Sequence, residues 1–358
     1  MKKFSVALLC VVLGILVIFA VILSWFSWSE YYPDPITLLE PISTEAGNKP
    51  ALGTPIELLS WNIGYAGLGK NSDFIMDGGI DVRSADENTV RSYLKGIQAL
   101  TASENYQLIL LQEVDSDSER TYGINEVEQL ARGNAYYALN FSCPLVPNPN
   151  TYFYNAIGKV NSGLLTISQF QVAKAERISL PCPFTWPIRM VNLKRCLLVS
   201  YIPIEGSEHK LVLVNLHLEA YDEGEGKIAQ TRQLREFIQS EYEKGNYVIA
   251  GGDFNQAFPR TLEDYPNNHK ELWTPLMLEM EMLPSGAGWQ YVWDSRNPTC
   301  RLLNQPYDPT DTVNTQYYVI DGFIISPNVQ MELVETLNLG FENSDHNPVR
   351  LRFTLRAA

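Results

Sequence analysis

The chain has 358 residues, of which 45% are hydrophobic and 19% are charged, a composition typical of a folded globular protein. This composition excludes the collagen-like, disordered and disulfide-scaffold classes. Its 41 acidic residues against 27 basic ones give a formal net charge of −14, which argues against a protein that holds a nucleic-acid backbone by bulk electrostatics, although a local basic groove stays open.

An uncharged apolar segment lies near the start of the chain, over residues 5–26. It is long enough to cross a membrane, whereas a cleaved secretory signal has a shorter apolar region and a small-residue cleavage site. Lys2 and Lys3 precede the segment, and Trp28 follows it. Because positive charge stays on the cytoplasmic side, we expect residues 1–4 in the cytoplasm and a single-pass anchor in the cell membrane, with the remaining chain extracytoplasmic. A long cleaved signal remains the alternative.

Residues 27–55 contain five prolines among polar residues and are predicted to be a spacer. We see no internal repeat, low-complexity tract or second linker after them, so residues 56–358 are predicted to form one catalytic domain. The four cysteines of this domain are widely spaced without a CxxC pair, which excludes a zinc knuckle or redox motif. Buried free thiols are favoured over disulfides, whose pairing the sequence leaves open.

Apolar strands alternate with two helices in the predicted domain. One helix should follow Ser84, where Glu87 completes a possible capping box, and a charged amphipathic helix should cover residues 228–244. Residues 260–315 have little strand signal and are expected to form loops and one helix. The predicted strands are IELLSW, YQLILLQ, GLLTIS, CLLVSYIPI, KLVLVNLHL, YVIAGG, YYVIDGFIIS and PVRLRFTL.

Polar residues follow several of these strands directly. They are Asn62, Glu113, His217, Asp253 and Asn255. Open α/β sheets place their sites at such strand ends, so we expect these side chains to gather at one edge. Taken singly, each has an ordinary interpretation as a turn former, a helix cap, a core imidazole or half of an ion pair.

The C-terminal part of the chain adds more groups of the same kind. Asp321 ends the run YYVI, and Asp345 and His346 precede the last strand. Only four histidines occur in the chain, and His217 and His346 both lie at strand ends. Carboxylates and amides that converge beside imidazoles would favour magnesium, manganese or calcium over zinc, and such a site suits metal-assisted hydrolysis of a phosphate ester.

Six segments in order, LLSWNIG, LILLQEV, LVNLHL, GGDFN, YVIDGF and SDHNPV, resemble the motifs of the endonuclease/exonuclease/phosphatase superfamily. That superfamily includes pancreatic deoxyribonuclease, abasic-site endonucleases, inositol polyphosphate 5-phosphatases and neutral sphingomyelinases. The resemblance runs from about Ile56 to Leu355. It implies an α/β fold, a four-layer sandwich of two packed mixed β-sheets flanked by helices, and a divalent-metal phosphoesterase activity.

The resemblance also implies a metal site for Mg²⁺ or Mn²⁺. Glu113 would be the principal ligand, helped by Asn62 and Asp345. The metal would act as a Lewis acid on a phosphate oxygen, and water would attack in line without a covalent enzyme intermediate.

Catalytic roles are carried over in the same way. Asp253 would orient or deprotonate the attacking water, and Asn255 would hold the phosphate or that water. His217 would donate to a phosphoryl oxygen. His346, paired with Asp321, would stay protonated and bind the developing charge or assist the leaving group.

Substrate contacts are less clear, because the chain departs from well-studied nucleases between the motifs. Arg120 and Tyr122 are the predicted contacts, with an ordinary ion pair as the alternative for Arg120. The loop over residues 71–88 either shapes the pocket mouth or is a solvated turn. Tyr152 or Tyr154 could supply the tyrosine that related nucleases place near the phosphate. A basic cluster could face an anionic headgroup, with a solvated face favoured; its members are Arg189, Lys194 and Arg195.

An anchored, acidic, outward-facing phosphoesterase suits a lipid headgroup or a small phosphate ester better than nucleic acid. An extracellular nuclease acting on DNA or RNA is the alternative, although no dense basic run is visible. A non-catalytic anchored binding module is the second alternative. We expect a monomer that contacts the membrane through its N-terminal helix.

Overall fold

The computed structural model describes residues 2–103, 105–222, 224–284, 286, 288–311 and 313–357, without the side chains of Lys2 and Lys3. The helices are α1 (Lys2–Ser29), α2 (Glu87–Thr101), α3 (Glu126–Leu130), α4 (Glu225–Glu243) and α5 (Thr261–Asp264). The strands are β1 (Ile36–Leu38), β2 (Pro41–Ser43), β3 (Ile56–Asn62), β4 (Leu108–Asp115), β5 (Asn134–Val146), β6 (Gly158–Ser168), β7 (Lys174–Ser179), β8 (Cys196–Pro203), β9 (Lys210–His217), β10 (Tyr247–Asp253), β11 (Gln256–Ala257), β12 (Leu276–Met277), β13 (Gln290–Val292), β14 (Cys300–Arg301), β15 (Tyr317–Tyr318), β16 (Asp321–Ile325), β17 (Val329–Thr336) and β18 (Val349–Leu355).

Two seven-stranded mixed sheets form the centre of the domain. One has the order β1-β7-β8-β9-β10-β16-β13 and the other the order β17-β18-β3-β4-β6-β5-β2. Apolar side chains that alternate along the central strands fill the space between the sheets, among them Leu58, Leu110, Leu213, Ile249 and Phe323. Alternation of side chains across a strand puts the next residues on the outer faces.

Helices cover both outer faces. Helix α2 packs Val90, Leu94 and Ile97 against the outer face of the sheet that contains β3 and β4. Helix α4 packs Leu234 and Ile238 against the outer face of the sheet that contains β9 and β10. The predicted four-layer α/β sandwich is therefore confirmed.

Each sheet contains one parallel pair built by a strand–helix–strand unit. In one unit α2 connects β3 to β4, and in the other α4 connects β9 to β10. The carboxyl ends of parallel strands lie at the same edge of a sheet. These two edges meet, because the amide of Asn62 at the end of β3 contacts the carboxylate of Asp253 at the end of β10.

The predicted spacer over residues 27–55 is not free chain. Strand β1 pairs antiparallel with β7, and strand β2 pairs antiparallel with β5, so this segment adds one strand to an edge of each sheet. The prediction of a spacer rested on the prolines. Proline is, however, tolerated on edge strands, where one side of the backbone has no partner strand. The fold therefore begins before residue 56.

Two smaller expectations also need correction. Helix α2 begins at Glu87 with Asp86, not Ser84, as its N-cap, and the Asp86 side chain accepts from the backbone N–H of Thr89 at 2.8 Å. The stretch 260–315 contains the short helix α5 and also the short strands β12, β13 and β14. The thiols of Cys143, Cys196 and Cys300 are buried, whereas that of Cys182, which was also expected to be buried, is only partly so.

Helix α1 is long and apolar enough to cross a membrane over Phe4–Ser29, and its candidate span is 0% buried against the rest of the chain. A signal sequence near an N-terminus passes the same test of length and composition. The C-terminal end of this helix contacts the domain, where Ile22, Leu23 and Phe26 pack against apolar residues near β5 and β6.

Candidate active site

The Asn62 side chain links the two strand edges. Its Nδ2 donates to Oε1 of Glu113 at 3.0 Å and to Oδ2 of Asp253 at 3.0 Å. Its Oδ1 accepts from the backbone N–H of Gly64 at 3.1 Å. The N–H groups of the amide thus point to both carboxylates, and its oxygen points to the backbone. These contacts fix the two carboxylates relative to each other.

Asp253 is fully buried at the end of β10. Its Oδ1 accepts from the backbone N–H of Asn255 at 2.8 Å, and its Oδ2 lies 3.4 Å from Nε2 of His217. Burial, with a further contribution from the neighbouring Asp321, raises the pKa of Asp253 to about 7. A carboxylate with such a pKa can take a proton from water near neutral pH more readily than an ordinary aspartate can.

Asn255 lies just beyond Asp253 in a left-handed backbone conformation with φ of 49°. Its Nδ2 donates to the backbone oxygen of Leu218 at 2.8 Å. Glu113 has φ of 54°, so two of the predicted site residues adopt a conformation that is uncommon for residues other than glycine. Strain of this kind occurs often at functional sites, where the surrounding structure holds it in place.

His346 and Asp321 form a buried pair. Nδ1 of His346 donates to Oδ2 of Asp321 at 2.8 Å, and the backbone N–H of His346 donates to Oγ of Ser344 at 3.1 Å. Burial alone would lower the pKa of His346, but Asp321 and its other anionic neighbours raise it well above the usual value. His346 is therefore a protonated donor at neutral pH, and its Nε2 lies 3.8 Å from Oδ2 of Asp253.

His217 differs from His346 in its charge. Burial first, and then the charge of Arg195, lowers the pKa of His217 well below its usual value, so this imidazole is neutral. Among the described atoms its Nδ1 has no hydrogen-bond partner. Two imidazoles of opposite protonation state thus flank one carboxylate, and a neutral ring with a free nitrogen can still form a hydrogen bond with a bound ligand.

Glu113 and Asp345 are the carboxylates that could hold a cation. Both line the same cavity. Burial raises the pKa of Asp345 to about 7, and the charge of Glu113 acts in the same direction, whereas His346 opposes it. Two acidic oxygen donors with excess negative charge fit a hard divalent cation. His346 also lies beside Asp345, but its protonation disfavours it as a ligand.

Arg120 forms an ion pair, as the alternative prediction held. Its Nε and Nη2 donate to the two carboxylate oxygens of Asp115 at 3.0 and 2.9 Å, and Asp115 is buried. The guanidinium also lies 3.5 Å from the ring centroid of Tyr65 and lines the cavity. The ion pair and a substrate contact are therefore compatible.

Tyr122 is placed differently from its prediction. Its side chain is 42% exposed, and its hydroxyl donates to the backbone oxygen of Ser84 at 2.9 Å. Tyr122 is not among the described residues that line the cavity, and neither are Tyr152 and Tyr154, which are exposed. The aromatic side chains that line the cavity are instead those of Tyr65, Phe74, Phe141, Tyr221 and Trp273.

Sequence reasoning missed Tyr65, which lies three residues after Asn62 and directly after the last residue of the first motif. Its ring is buried, its backbone has φ of 41°, and its hydroxyl has no partner among the described atoms. The loop over residues 71–88 contributes Phe74, Met76 and Asp77 to the cavity, so this loop does shape the pocket.

The predicted basic cluster is not one solvated face. Lys194 and Arg189 lie 3.1 and 3.2 Å from the carboxylate of Glu30, just beyond α1. Arg195 is buried, pairs with Glu219 at 3.3 Å and lines the cavity. Of the three residues, only Arg195 therefore faces the candidate site.

The cavity that these residues surround has a volume of about 340 Å³, which is within the range of small-molecule sites. Asp253, Asn255, His217 and His346 line it together with Glu113. A buried carboxyl of raised pKa, a protonated imidazole, a neutral imidazole and two further carboxylates thus face one cavity.

Comparisons with known proteins bear on the family and the fold of the chain. The model of the Endonuclease/Exonuclease/phosphatase family matches residues 59–346. Among solved structures, an endonuclease/exonuclease/phosphatase from Beutenbergia cavernae is 15% identical with a TM-score of 0.56, covering 85% of this chain and 72% of that one. A family protein from Bacteroides thetaiotaomicron is 11% identical with a TM-score of 0.51, covering 85% and 99% of the two chains. No curated protein sequence matches the chain.

Proposed function

The chain belongs to the Endonuclease/Exonuclease/phosphatase family, and from this premise we propose that it hydrolyses a phosphate ester with the aid of a divalent metal ion. A lipid headgroup or a small phosphate ester is the favoured substrate. The observation that carries the proposal is that His217, Asp253 and His346 line one cavity together with Glu113. Behind them the amide of Asn62 contacts Asp253, and Asp321 pairs with His346.

We propose that Glu113 and Asp345 hold the metal, with Asn62 as a further predicted ligand. Mg²⁺ and Mn²⁺ both suit oxygen donors. When bound, the ion would polarise a phosphate oxygen and offset the negative charge that develops on it.

The remaining residues bind the phosphate and move protons in this proposal. Asp253, held by Asn62 and by the backbone N–H of Asn255, takes a proton from the attacking water. The water oxygen forms a bond to phosphorus while the ester P–O bond breaks. Neutral His217 forms a hydrogen bond to a phosphoryl oxygen. Protonated His346 stabilises the developing charge or gives a proton to the leaving oxygen.

We also propose a single-pass anchor with the catalytic domain on the extracytoplasmic side. Lys2 and Lys3 before α1 support this orientation. An uncleaved helix is supported by its polar contact with the domain, because Nε1 of Trp186 donates to Oγ of Ser27 at 3.0 Å. Cleavage after the helix would remove this contact.

The net charge of −14 supports a lipid or small phosphate ester over nucleic acid, because a duplex would have to approach a surface of like charge. The test below includes DNA as a substrate, so that it can detect the alternative nuclease activity. The absence of hydrolysis for every substrate would favour the non-catalytic alternative.

The test uses the full chain in lipid nanodiscs with Mg²⁺, Mn²⁺ or EDTA. Substrate arms are a phospholipid and sphingomyelin mixture, plasmid and single-stranded DNA, and soluble phosphomonoesters. We expect metal-dependent hydrolysis of the lipid or small ester, with a loss of at least about 100-fold in Asp253→Asn. Asp264→Asn, at an exposed position, is the matched control. Hydrolysis of DNA alone would favour the nuclease, and no hydrolysis in any arm would contradict the proposal.

A further inference from the structure

The candidate cavity has two chemically different walls. The polar wall carries Glu113, Asp253 and His346. A second wall comes from the β5–β6 hairpin and from the segment before β8 and is mostly apolar, with Asn140, Ser162 and Asn192 as its polar members. Its apolar residues are Phe141, Val146, Ile157, Val160, Val191 and Leu193. A site for a small, fully polar phosphate ester would have no use for an apolar wall of this extent, because each buried methylene contributes to binding only if the ligand has an apolar part.

The same apolar wall packs against the end of α1. Ile22, Leu23 and Phe26 of the helix lie in one hydrophobic cluster with Phe141, Ile157 and the other residues of the wall. Phe26 is only 6% exposed, whereas the large apolar side chains before Ile22 are more than 40% exposed, for example Phe19 at 58%. The wall of the cavity is thus continuous with the membrane-exit end of the candidate anchor.

Polar contacts fix this arrangement. The carboxylate of Glu30 is 7% exposed and lies 3.1 Å from Nζ of Lys194 and 3.2 Å from Nε of Arg189. Oγ of Ser27 accepts from Trp186 at 3.0 Å. Both ion pairs meet at the one carboxylate of Glu30, so the residue directly after α1 is tied to the segment before β8, which contributes to the apolar wall.

Exposed aromatic and aliphatic side chains surround the same end of the molecule. Trp28 is 87% exposed, and Trp186 and Ile188 are 52% and 59% exposed beside it. The tip of the β5–β6 hairpin adds further exposed rings, those of Tyr152, Phe153 and Tyr154. Tryptophan and tyrosine are enriched at the membrane–water interface. An exposed apolar collar at this position fits contact with a lipid surface.

We propose that the cavity binds an amphiphilic phosphate ester of the anchoring membrane, with its phosphate at the polar wall and its alkyl chain along the wall shared with α1. The proposal rests on the proposed function for the identity of the phosphate site. It adds a specificity surface, because Val146, Val191 and their neighbours then select for an apolar tail. The anchor holds this surface at the interface from which the tail enters.

The test measures binding separately from hydrolysis. The full chain in nanodiscs is titrated calorimetrically with n-alkylphosphonates of two to eight carbons in the presence of Mn²⁺, with protein-free nanodiscs as the blank. Affinity should rise by about fourfold for each added methylene. The double variant Val146→Thr/Val191→Thr has nearly the same shape but a more polar wall. It should flatten this dependence and leave the affinity for the two-carbon probe unchanged within about twofold.

Val172→Thr is the matched control, because Val172 is partly buried in the core and is not among the described residues that line the cavity. It should keep the wild-type dependence. An affinity that does not depend on chain length, a dependence that the double variant retains, or no binding of any phosphonate would overturn the proposal.

Hydrolysis gives the second readout. With 4-nitrophenyl alkyl phosphates of the same chain lengths, kcat/KM should follow the binding series in wild type and lose its slope in the double variant. Chain-length-dependent binding without hydrolysis of any ester would support the apolar subsite while contradicting the proposed catalytic function. The two proposals therefore fail by different results.

Discussion

The Nδ1 atom of His346 lies 2.8 Å from Oδ2 of Asp321, and both side chains are buried. Asp321 is the first residue of β16, and His346 lies just before β18. These two strands belong to different sheets. Burial would favour a neutral imidazole, but the carboxylate outweighs it and the pKa of His346 is raised well above the usual value. The pair therefore keeps a positive charge beside Asp253 at neutral pH.

Replacement of Asp321 by asparagine should remove the negative charge that keeps His346 protonated. In Asp321→Asn the pKa of His346 should fall, because burial is then opposed only by the more distant anionic neighbours, such as Asp345. The alkaline limb of the kcat/KM profile, where His346 loses its proton, should move to lower pH, and kcat/KM at pH 8 should fall by about 100-fold. The substrate is whichever ester the wild type hydrolyses.

Histidine-selective NMR checks the cause directly, because the chain has only four histidines. His209→Gln, at an exposed position, assigns one resonance and serves as the activity control. An unchanged His346 titration in Asp321→Asn would contradict the role given to the pair.

The sequence predicted the central strands well, because β3, β4, β9 and β10 are buried on both faces and form continuous apolar runs. Strand β5 was missed, since its residues mix Asn, Ser, Cys and Pro with aromatic side chains and its burial alternates. Strands β1 and β2 were missed because three residues surrounded by prolines give too little periodicity for a prediction.

The candidate site could be anticipated only in part. Asn62, Asp253 and His346 lie in motifs that follow buried strands, so their convergence followed from the rule for strand ends. Tyr65 and Arg195 could not be placed, because their position at the cavity depends on partners distant in sequence or on local backbone strain. Tyr65 lies under Arg120, and Arg195 pairs with Glu219. The orientation of the Asn62 amide also required the hydrogen-bond network.

Glu113→Gln should weaken metal binding. The change keeps the size of the side chain and its ability to accept from Asn62 but removes the negative charge. We expect the affinity for Mn²⁺, measured by calorimetry or by electron paramagnetic resonance, to fall at least tenfold. Glu119→Gln, an exposed change six residues away, should leave the affinity unchanged.

The affinity for Mn²⁺ should also depend on pH, in a direction that the pKa of Asp345 determines. The pKa of Asp345 is about 7, so a metal that binds its ionised form must displace a proton in neutral solution. Affinity should therefore increase between pH 6 and pH 8 in wild type. A pH-independent affinity would argue against Asp345 as a ligand.

Asp345→Asn should stabilise the metal-free protein at high pH. A buried carboxyl whose pKa is raised to about 7 binds its proton more tightly in the folded chain than in the unfolded chain. Its stabilising contribution is complete below pH 4 and is lost as the pH rises through 7. The variant should exceed wild type in unfolding free energy at pH 8 by up to roughly 4 kcal/mol, and the two should agree near pH 4.

Urea unfolding of the two proteins in EDTA provides the measurement. Addition of Mn²⁺ should stabilise wild type at pH 8 and leave Asp345→Asn nearly unchanged. A variant that is less stable than wild type at pH 8 in EDTA would show that Asp345 supports the fold rather than the site.

Variants of Arg120 test whether this side chain both stabilises the fold and contacts the substrate phosphate. Asp115 is buried and accepts two hydrogen bonds from the guanidinium. Arg120→Ala leaves that carboxylate unpaired, so we expect a loss of about 3–5 kcal/mol in unfolding free energy. Activity will fall as well, and the single variant cannot separate the two effects.

The double variant Asp115→Asn/Arg120→Met removes both charges and keeps the volume of the side chains. Replacement of a buried ion pair by groups of similar size is often neutral, so the unfolding free energy should return to within about 1 kcal/mol of wild type. If Arg120 also contacts the substrate phosphate from its position over Tyr65, KM should stay raised by about 10-fold or more after stability is restored, because a hydrogen bond to a charged group is lost. Recovery of KM together with stability would identify Arg120 as a structural ion-pair partner alone.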